Sequence, residues 1–233
     1  METQIDIKIE RNQEDQNFST ITIDDKTNPI ITVQTTSVDS ECQREDDVLV
    51  IKQWVRKIKN NGDACNIIGL SVDCSLHYKN GTNKSFDYPK KEDHPIEILQ
   101  LCIGNQCLIY EAVDSYHSFL SKKDVPKALK DLLSDARFVV VGVGMEEVAK
   151  KLESQLGLKI SQPRELRTMA GFSGKKCSLE KLAKRVLGGD WKKPSSMSWW
   201  KDGIIGGLSD DKIKYGTVEA FLAYEMGKKL LKK

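Results

Sequence analysis

Residues 67–75 have the sequence IIGLSVDCS, in which two polar side chains, Ser71 and Asp73, interrupt an apolar and largely β-branched run. Such a run favours a buried β-strand. Side chains two positions apart on a strand share a face, so we expect Ser71 and Asp73 on one face and Leu70 and Val72 on the other. Because burying unpaired polar groups is costly, this strand is the first place to look for a functional site.

Length and composition indicate one globular domain. The chain has 233 residues, a size that a single core can use, and 39% of them are hydrophobic. Residues 1–17 are polar and charged without a sustained period, so we expect a mobile tail there and a single domain over residues 18–233. The 36 basic and 34 acidic residues give a net charge of +2, which provides no overall attraction to nucleic acid or membrane.

The sequence gives no sign of membrane insertion or secretion. No window approaches the roughly 20 apolar residues that a membrane helix needs. The first residues lack the basic and apolar regions of a signal peptide. We therefore expect an intracellular protein, in the cytoplasm or the nucleus, with no membrane partner.

Hydrophobic periodicity predicts an α/β protein. Short alternating or apolar runs predict strands at residues 19–23, 30–35, 67–75, 96–103, 107–110, 138–143 and 159–161. Apolar stripes with helix start and stop signals predict helices at residues 48–58, 126–135, 145–156, 165–170, 178–187 and 209–231. Antiparallel strands followed by strand–helix alternation imply one mixed sheet with helices on both faces.

Several segments, taken in order, carry a resemblance to a known family. After residues 67–75 come EILQLC at 97–102, VGVGME at 141–146, SLEKLA at 178–183, VLG at 186–188, Lys193 with Ser198-Trp199, and KYGTVEAF at 214–221. This ordered set resembles the DEDD 3'-5' exonucleases of the RNase H-like (DnaQ-like) fold, in particular the Werner-syndrome-type exonuclease domains and their plant relatives. The resemblance covers about residues 46–231.

The resemblance implies a metal-dependent hydrolase built from carboxylates. In such enzymes two divalent cations about 4 Å apart stabilise the attacking and leaving oxygens of a phosphodiester, and hard cations such as Mg²⁺ or Mn²⁺ prefer oxygen ligands. The family supplies an Asp-x-Glu pair on the first strand, an Asp in the helix after the Val-Gly-Val-Gly strand, and an Asp four residues after a Tyr on the last helix. In the tyrosine-containing class, DEDDy, that Tyr orients the attacking water.

Only part of this set is present in the sequence. The first-strand pair corresponds to Ser71 and Asp73, the helix Asp to Val148, and the last motif to Tyr215 and Glu219. The resemblance therefore implies a residual catalytic and metal site of Asp73, Glu219 and Tyr215. In the family the residue at the position of Ser71 bridges both metals, and a neutral hydroxyl cannot supply that charge.

Val148 lies on an apolar helix stripe. Met145, Val148, Ala149, Leu152 and Leu156 recur at helical spacing, which predicts that Val148 faces the core. Glu146 and Glu147 lie next to it, but each residue turns the side chain by about 100°. The alternative is that Glu147 replaces the missing carboxylate through a shifted first turn.

The last helix places Tyr215 and Glu219 on one stripe with Leu222 and Met226. This arrangement predicts that Glu219 points inward beside Tyr215, as a residual site requires. The alternative is structural: Tyr215 packs, Glu219 is a partly exposed helix charge, and Asp73 is held by backbone or hydroxyl donors.

An aromatic and basic cluster, Trp191-Lys192-Lys193 with Trp199-Trp200-Lys201, has the composition of single-strand binding surfaces. Within it, the resemblance makes Lys193 and Trp199 the candidate nucleic-acid contacts. The alternative is that the tryptophans anchor a loop onto the fold.

Three hypotheses follow for the function. The first is a 3'-5' exonuclease-like nucleic-acid-binding protein with a degraded carboxylate set and little or no cleavage. The second is a weak exonuclease on single-stranded or recessed 3' ends that uses Mg²⁺ or Mn²⁺ bound by Asp73 and Glu219, with Tyr215 and Glu147 assisting. The third is a non-catalytic subunit that forms homo- or hetero-oligomers with active relatives, by analogy with ring-shaped plant relatives.

Overall fold

The computed structural model describes residues 5–24, 29–38, 45–60, 66–74, 94–112, 122, 124–172, 177–188, 191 and 208–232. Within these ranges the strands are β1 (Asp6–Arg11), β2 (Phe18–Asp24), β3 (Ile31–Val38), β4 (Ile67–Cys74), β5 (Ile96–Ile103), β6 (Gln106–Glu111), β7 (Val139–Gly142) and β8 (Pro163–Glu165). The helices are α1 (Glu45–Asn60), α2 (Lys127–Leu133), α3 (Met145–Lys151), α4 (Leu166–Met169), α5 (Leu179–Val186) and α6 (Asp210–Leu231). A π-helical turn, Leu152–Leu156, continues α3.

All eight described strands belong to one mixed sheet. Their order is β1-β2-β3-β6-β5-β4-β7-β8. The strands β6, β5 and β4 pair antiparallel, and β7 and β8 continue the sheet in parallel beside β4. At the other edge β3 pairs parallel with β6, and β1, β2 and β3 form an antiparallel extension. The predicted mixed sheet is confirmed.

The sheet separates two hydrophobic cores, so helices cover both of its faces as predicted. The first core contains residues of α1, α2 and α3, such as Trp54, Leu132 and Met145, packed on Ile68 and Leu70 of β4. The second core contains residues of α4, α5 and α6, such as Leu166, Leu182 and Phe221. The central strands β5 and β6 are therefore buried on both sides, as expected of a sheet with helices on both faces.

The ends of the helices follow local sequence signals. Ser178 and Ser209 precede α5 and α6, and each hydroxyl accepts a hydrogen bond from the backbone N–H three residues later. After the π-helical turn, Gly157 adopts a left-handed conformation with φ of 66°, which glycine adopts without a steric penalty. These predicted boundaries are confirmed.

Two sequence predictions are wrong. The expected mobile tail over residues 1–17 contains β1, because Ile5, Ile7 and Ile9 alternate with polar residues and pack against the second core. The strand expected at 159–161 lies instead at Pro163–Glu165. Residues 159–161 do not pair with the sheet, because Leu158 and Ile160 are buried in the first core.

The extension is fastened to the last helix. Arg11 of β1 donates from Nε to Asp210 Oδ1 at 2.6 Å and from Nη2 to the carbonyl of Leu208 at 3.0 Å. The buried hydroxyls of Thr35 in β3 and Thr217 in α6 are 3.0 Å apart. The extension and α6 are thus joined at both β1 and β3.

Among the helices that the structure describes, none is long and apolar enough to cross a membrane.

Helix α6 lies directly on β4 because Gly69 has no side chain. A Cβ atom placed on Gly69 would lie 2.2 Å from the carbonyl oxygen of Ala220 and 2.3 Å from the backbone nitrogen of Tyr224. Both contacts are with backbone, which cannot rotate away. This close approach fixes the height of α6 above the strand that carries Ser71 and Asp73.

We predict that Gly69→Ala lowers the free energy of unfolding by at least about 2 kcal/mol, because α6 must move off the sheet. Gly188→Ala is the matched control. Gly188 has no neighbour within 4 Å but a φ of 84°, so its cost is conformational strain alone, about 1 kcal/mol. Urea denaturation followed by circular dichroism measures both, and equal losses would contradict the packing argument.

Candidate functional site

Ser71 and Asp73 lie on the face of β4 that α6 covers. Ser71 Oγ donates a hydrogen bond to Glu219 Oε2 of α6 at 3.1 Å. On the opposite face, Leu70 belongs to the first core and Val72 packs against it. The alternation expected from the sequence is confirmed, and both polar residues are half-buried.

Gln100 is a site residue that the sequence argument did not single out. It lies on β5 directly opposite Ser71, and its Nε2 donates to Asp73 Oδ2 at 2.6 Å. Its side chain is completely buried. The sequence did contain a signal for Gln100. It is the one amide within the apolar run of residues 98–103, ILQLCI, just as Ser71 and Asp73 are polar residues within an apolar strand.

The amide of Gln100 is held beneath the last helix by a second glycine. A Cβ atom on Gly216 would lie 3.1 Å from Gln100 Nε2, so a larger residue would displace the amide. Gln100 Oε1 is buried and has no hydrogen-bond partner among the described residues. Leaving an acceptor unsatisfied costs roughly 1–3 kcal/mol. The fold bears this cost while the other end of the amide binds Asp73.

Tyr215 and Glu219 lie one turn apart on the same stripe of α6, as predicted, and both are half-buried. Burial raises the pKa of the Tyr215 phenol, an effect that Lys214 partly offsets and Asp211 reinforces. Lys214 Nζ lies 5.8 Å from the centre of the Tyr215 ring and 2.7 Å from Asp211 Oδ1. Tyr215 is therefore a protonated phenol at neutral pH, beside a lysine that is itself paired.

A cavity of about 260 Å³ borders this stripe of α6. Tyr215 and Glu219 of α6 line it together with Ile7 of β1, Ile5 just before that strand, Trp191 and the start of α5. Trp191 is buried, and its Nε1 donates to the carbonyl of Gly188 at 2.8 Å. For Trp191, this favours the alternative of a tryptophan anchored on the fold. Lys193 and Trp199, the predicted nucleic-acid contacts, lie outside the described residues.

Val148, the position at which the sequence resemblance leads us to expect a third carboxylate, is apolar in surroundings as well as in side chain. Val148 is half-buried and packs against the first core, as its stripe predicts. The first turn of α3 is regular, since the Val148 N–H donates to the carbonyl of Gly144 at 3.0 Å. Glu147 is exposed, and Glu146 is paired with Lys150 at 2.8 Å. The shifted turn that would bring Glu147 into the site is absent from this region.

The residues of the site do not fit a two-metal centre. Asp73 and Glu219 are the carboxylates present, and each accepts a hydrogen bond from a neighbouring side chain, Gln100 or Ser71. Within the part of the chain that the structure describes, no group of three or more His, Cys, Asp or Glu side chains could hold a metal ion. A pair of divalent cations needs more negative charge than these two groups provide.

We predict that Ser71→Ala destabilises the fold by about 1–2 kcal/mol, because the half-buried carboxylate of Glu219 loses a donor. The control is Ser154→Ala, which removes an exposed hydrogen bond to the carbonyl of Lys151 and should change stability by less than about 0.5 kcal/mol. Chemical denaturation compares them. If Ser71→Ala left the free energy of unfolding unchanged, the hydrogen bond to Glu219 would not contribute to stability.

Comparison with solved structures identifies the fold. RNase D of Trypanosoma brucei, in a complex with GMP, aligns over 85% of this chain and 57% of its own, with a TM-score of 0.59 and 15% identity. The EXO domain of Nibbler from Aedes aegypti aligns over 85% of this chain and 87% of its own, with a TM-score of 0.57 and 14% identity. The catalytic core of RRP6 from T. brucei gives a TM-score of 0.59 at 13% identity, over 84% of this chain and 46% of its own.

These similarities lie in structure rather than in sequence. No protein-family model matches the sequence, and no curated protein matches it either. The chain spans little more than half the length of the T. brucei RNase D that it resembles. The similarity extends over about 85% of this chain in both the RNase D and the Nibbler comparison. The chain therefore has the RNase H-like fold of the DEDD 3'-5' exonuclease domains.

Proposed function

We propose that this protein is a nucleic-acid-binding, 3'-5' exonuclease-like protein whose carboxylate site has lost its metal centre, so that it cleaves phosphodiesters very weakly or not at all. The observation that carries the proposal is the hydrogen bond from Ser71 Oγ to Glu219 Oε2. A hydroxyl donor stands where a metal-bridging carboxylate is expected, and it is directed at a remaining carboxylate.

The neighbouring contacts support the same interpretation. A carboxylate that binds a metal is stabilised by the positive charge of the ion, and without the ion it needs hydrogen-bond donors. Ser71 serves Glu219 in this way and Gln100 serves Asp73, so the two carboxylates are stabilised by side chains of the fold itself. Val148, packed on the first core, contributes no charge.

The proposal includes the finer assignments that the sequence suggests. The protein would belong with the tyrosine-containing class and with the Werner-type and plant exonuclease-like proteins, on the order of its motifs. It would bind single-stranded or recessed 3' ends with the help of Lys193 and Trp199. Residual activity, if present, would use Mg²⁺ or Mn²⁺ at Asp73 and Glu219, with Tyr215 beside them.

We predict that the full chain binds labelled single-stranded RNA or DNA in an anisotropy titration but does not trim it, or a recessed duplex, with Mg²⁺ or Mn²⁺. Robust metal-dependent trimming that disappears in Asp73→Asn and Glu219→Gln would overturn the loss of activity. Failure to bind any of these polynucleotides would overturn the nucleic-acid function itself.

We also predict that the double variant Ser71→Asp with Val148→Asp gains affinity for Mn²⁺ by at least about tenfold, or about 1.4 kcal/mol, because two carboxylates are added. Without metal the variant should be less stable than the wild type, since Ser71→Asp places a carboxylate beside Glu219 and Val148→Asp places one against the first core, and Mn²⁺ should raise its melting temperature. The control is Ser71→Ala with Val148→Ala. Calorimetry that shows equal Mn²⁺ binding in wild type and both variants would contradict the placement of these two positions.

A further inference from the structure

The cavity beside α6 is lined by residues of the candidate site and by residues from the N-terminal edge of the extension. Tyr215 and Glu219 of α6 line it, and so do Ile7 of β1 and Ile5, which directly precedes that strand. Strand β1 belongs to the extension and is fastened by Arg11 to Asp210 at the start of α6. Whatever enters the cavity therefore contacts both the extension and the candidate site.

The size and walls of the cavity suit one flat, largely apolar ring. Its volume of about 260 Å³ lies just below the range of about 300–1,000 Å³ that is usual for drug-sized ligands. Ile5 and Ile7 line this space together with the aromatic side chains of Trp191 and Tyr215. Aliphatic and aromatic walls are the surroundings in which nucleobases stack.

The charged groups at the cavity determine which ligand groups are favoured there. Its described walls include two carboxylates, Glu219 of α6 and Glu180 at the start of α5, and no lysine or arginine. Carboxylates accept hydrogen bonds and repel anions, so a phosphate group is disfavoured here and an edge with N–H donors is favoured. Glu219 already accepts from Ser71, but an ionised carboxylate has about four acceptor positions.

We propose that this cavity is a subsite for a nucleobase whose edge presents adjacent N–H donors, which among the common bases is guanine. Guanine offers its N1–H and its amino group side by side, so one carboxylate accepts both. Adenine and cytosine pair a single amino donor with a neighbouring ring acceptor, and uracil flanks its one N–H with two carbonyls. The inference rests on the proposed function, in that it assumes that this chain takes nucleic acid.

The test uses the full chain with ¹³C-labelled isoleucine methyl groups and nucleosides as probes. We expect guanosine to shift the methyl signals of Ile5 and Ile7 and to leave Ile51 in the first core unchanged. Apparent affinity should fall from guanosine to adenosine and cytidine and be weakest for uridine. Inorganic phosphate should not compete.

Paired variants separate the subsite from general binding. Ile7→Trp should fill the cavity and abolish guanosine binding, whereas Ile9→Trp, on the same face of β1 but away from the described cavity walls, should not. Glu180→Gln should reduce the preference for guanosine over uridine at least about threefold, and its control is Glu153→Gln at an exposed site. Thermal unfolding confirms that each variant is folded before binding is measured.

Three outcomes would overturn the inference: uridine binding as well as guanosine, phosphate displacing the nucleoside, or Ile7→Trp retaining guanosine binding while folded. The polynucleotide titration distinguishes this failure from failure of the proposed function. Oligonucleotide binding that persists without any nucleoside effect at Ile5 and Ile7 removes only the subsite. Loss of both removes the nucleic-acid function.

Discussion

The contact on which the site depends is the close approach of α6 to β4 at Gly69. With no Cβ atom in the way, the backbone of α6 at Ala220 and Tyr224 lies against the strand. Glu219 is then within hydrogen-bond distance of Ser71, two residues along β4. A second glycine, Gly216, leaves the room in which Gln100 reaches Asp73. Because the two glycines have no side chains, the four polar side chains come within hydrogen-bond distance of one another in two pairs.

Two of the four polar side chains are carboxylates, and each of them accepts a hydrogen bond from an uncharged donor. Carboxylates between a sheet and a helix must be stabilised, either by cations or by hydrogen-bond donors. Here the donors are a serine hydroxyl and a glutamine amide. The remaining imbalance is Gln100 Oε1, which has no partner among the described residues. The orphan oxygen shows that the position of this amide is set by Asp73 and not by its own best hydrogen bonding.

The strands of the extension, β1 to β3, bring further residues close to the same site. Because β3 pairs parallel with β6, three further strands continue the sheet beyond the hairpin of β5 and β6. Arg11 of β1 pairs with Asp210 at the start of α6, and Ile7 and Ile9 are partly buried against the second core. Ile7 of β1 therefore lines the same cavity as Tyr215 and Glu219.

Local periodicity was enough to determine most of the elements and the faces of the key side chains. The two-residue repeat placed Ser71 and Asp73 together, and the helical repeat placed Tyr215 with Glu219 and Val148 on the core side of α3, all as observed. These features depend on neighbours within a few residues, so the sequence contains them directly. The pairing of Ser71 with Glu219, of Gln100 with Asp73 and of β1 with α6 could not be predicted in this way. Each joins residues from 27 to 199 positions apart, and the register and close packing that bring them together exist only in the folded chain.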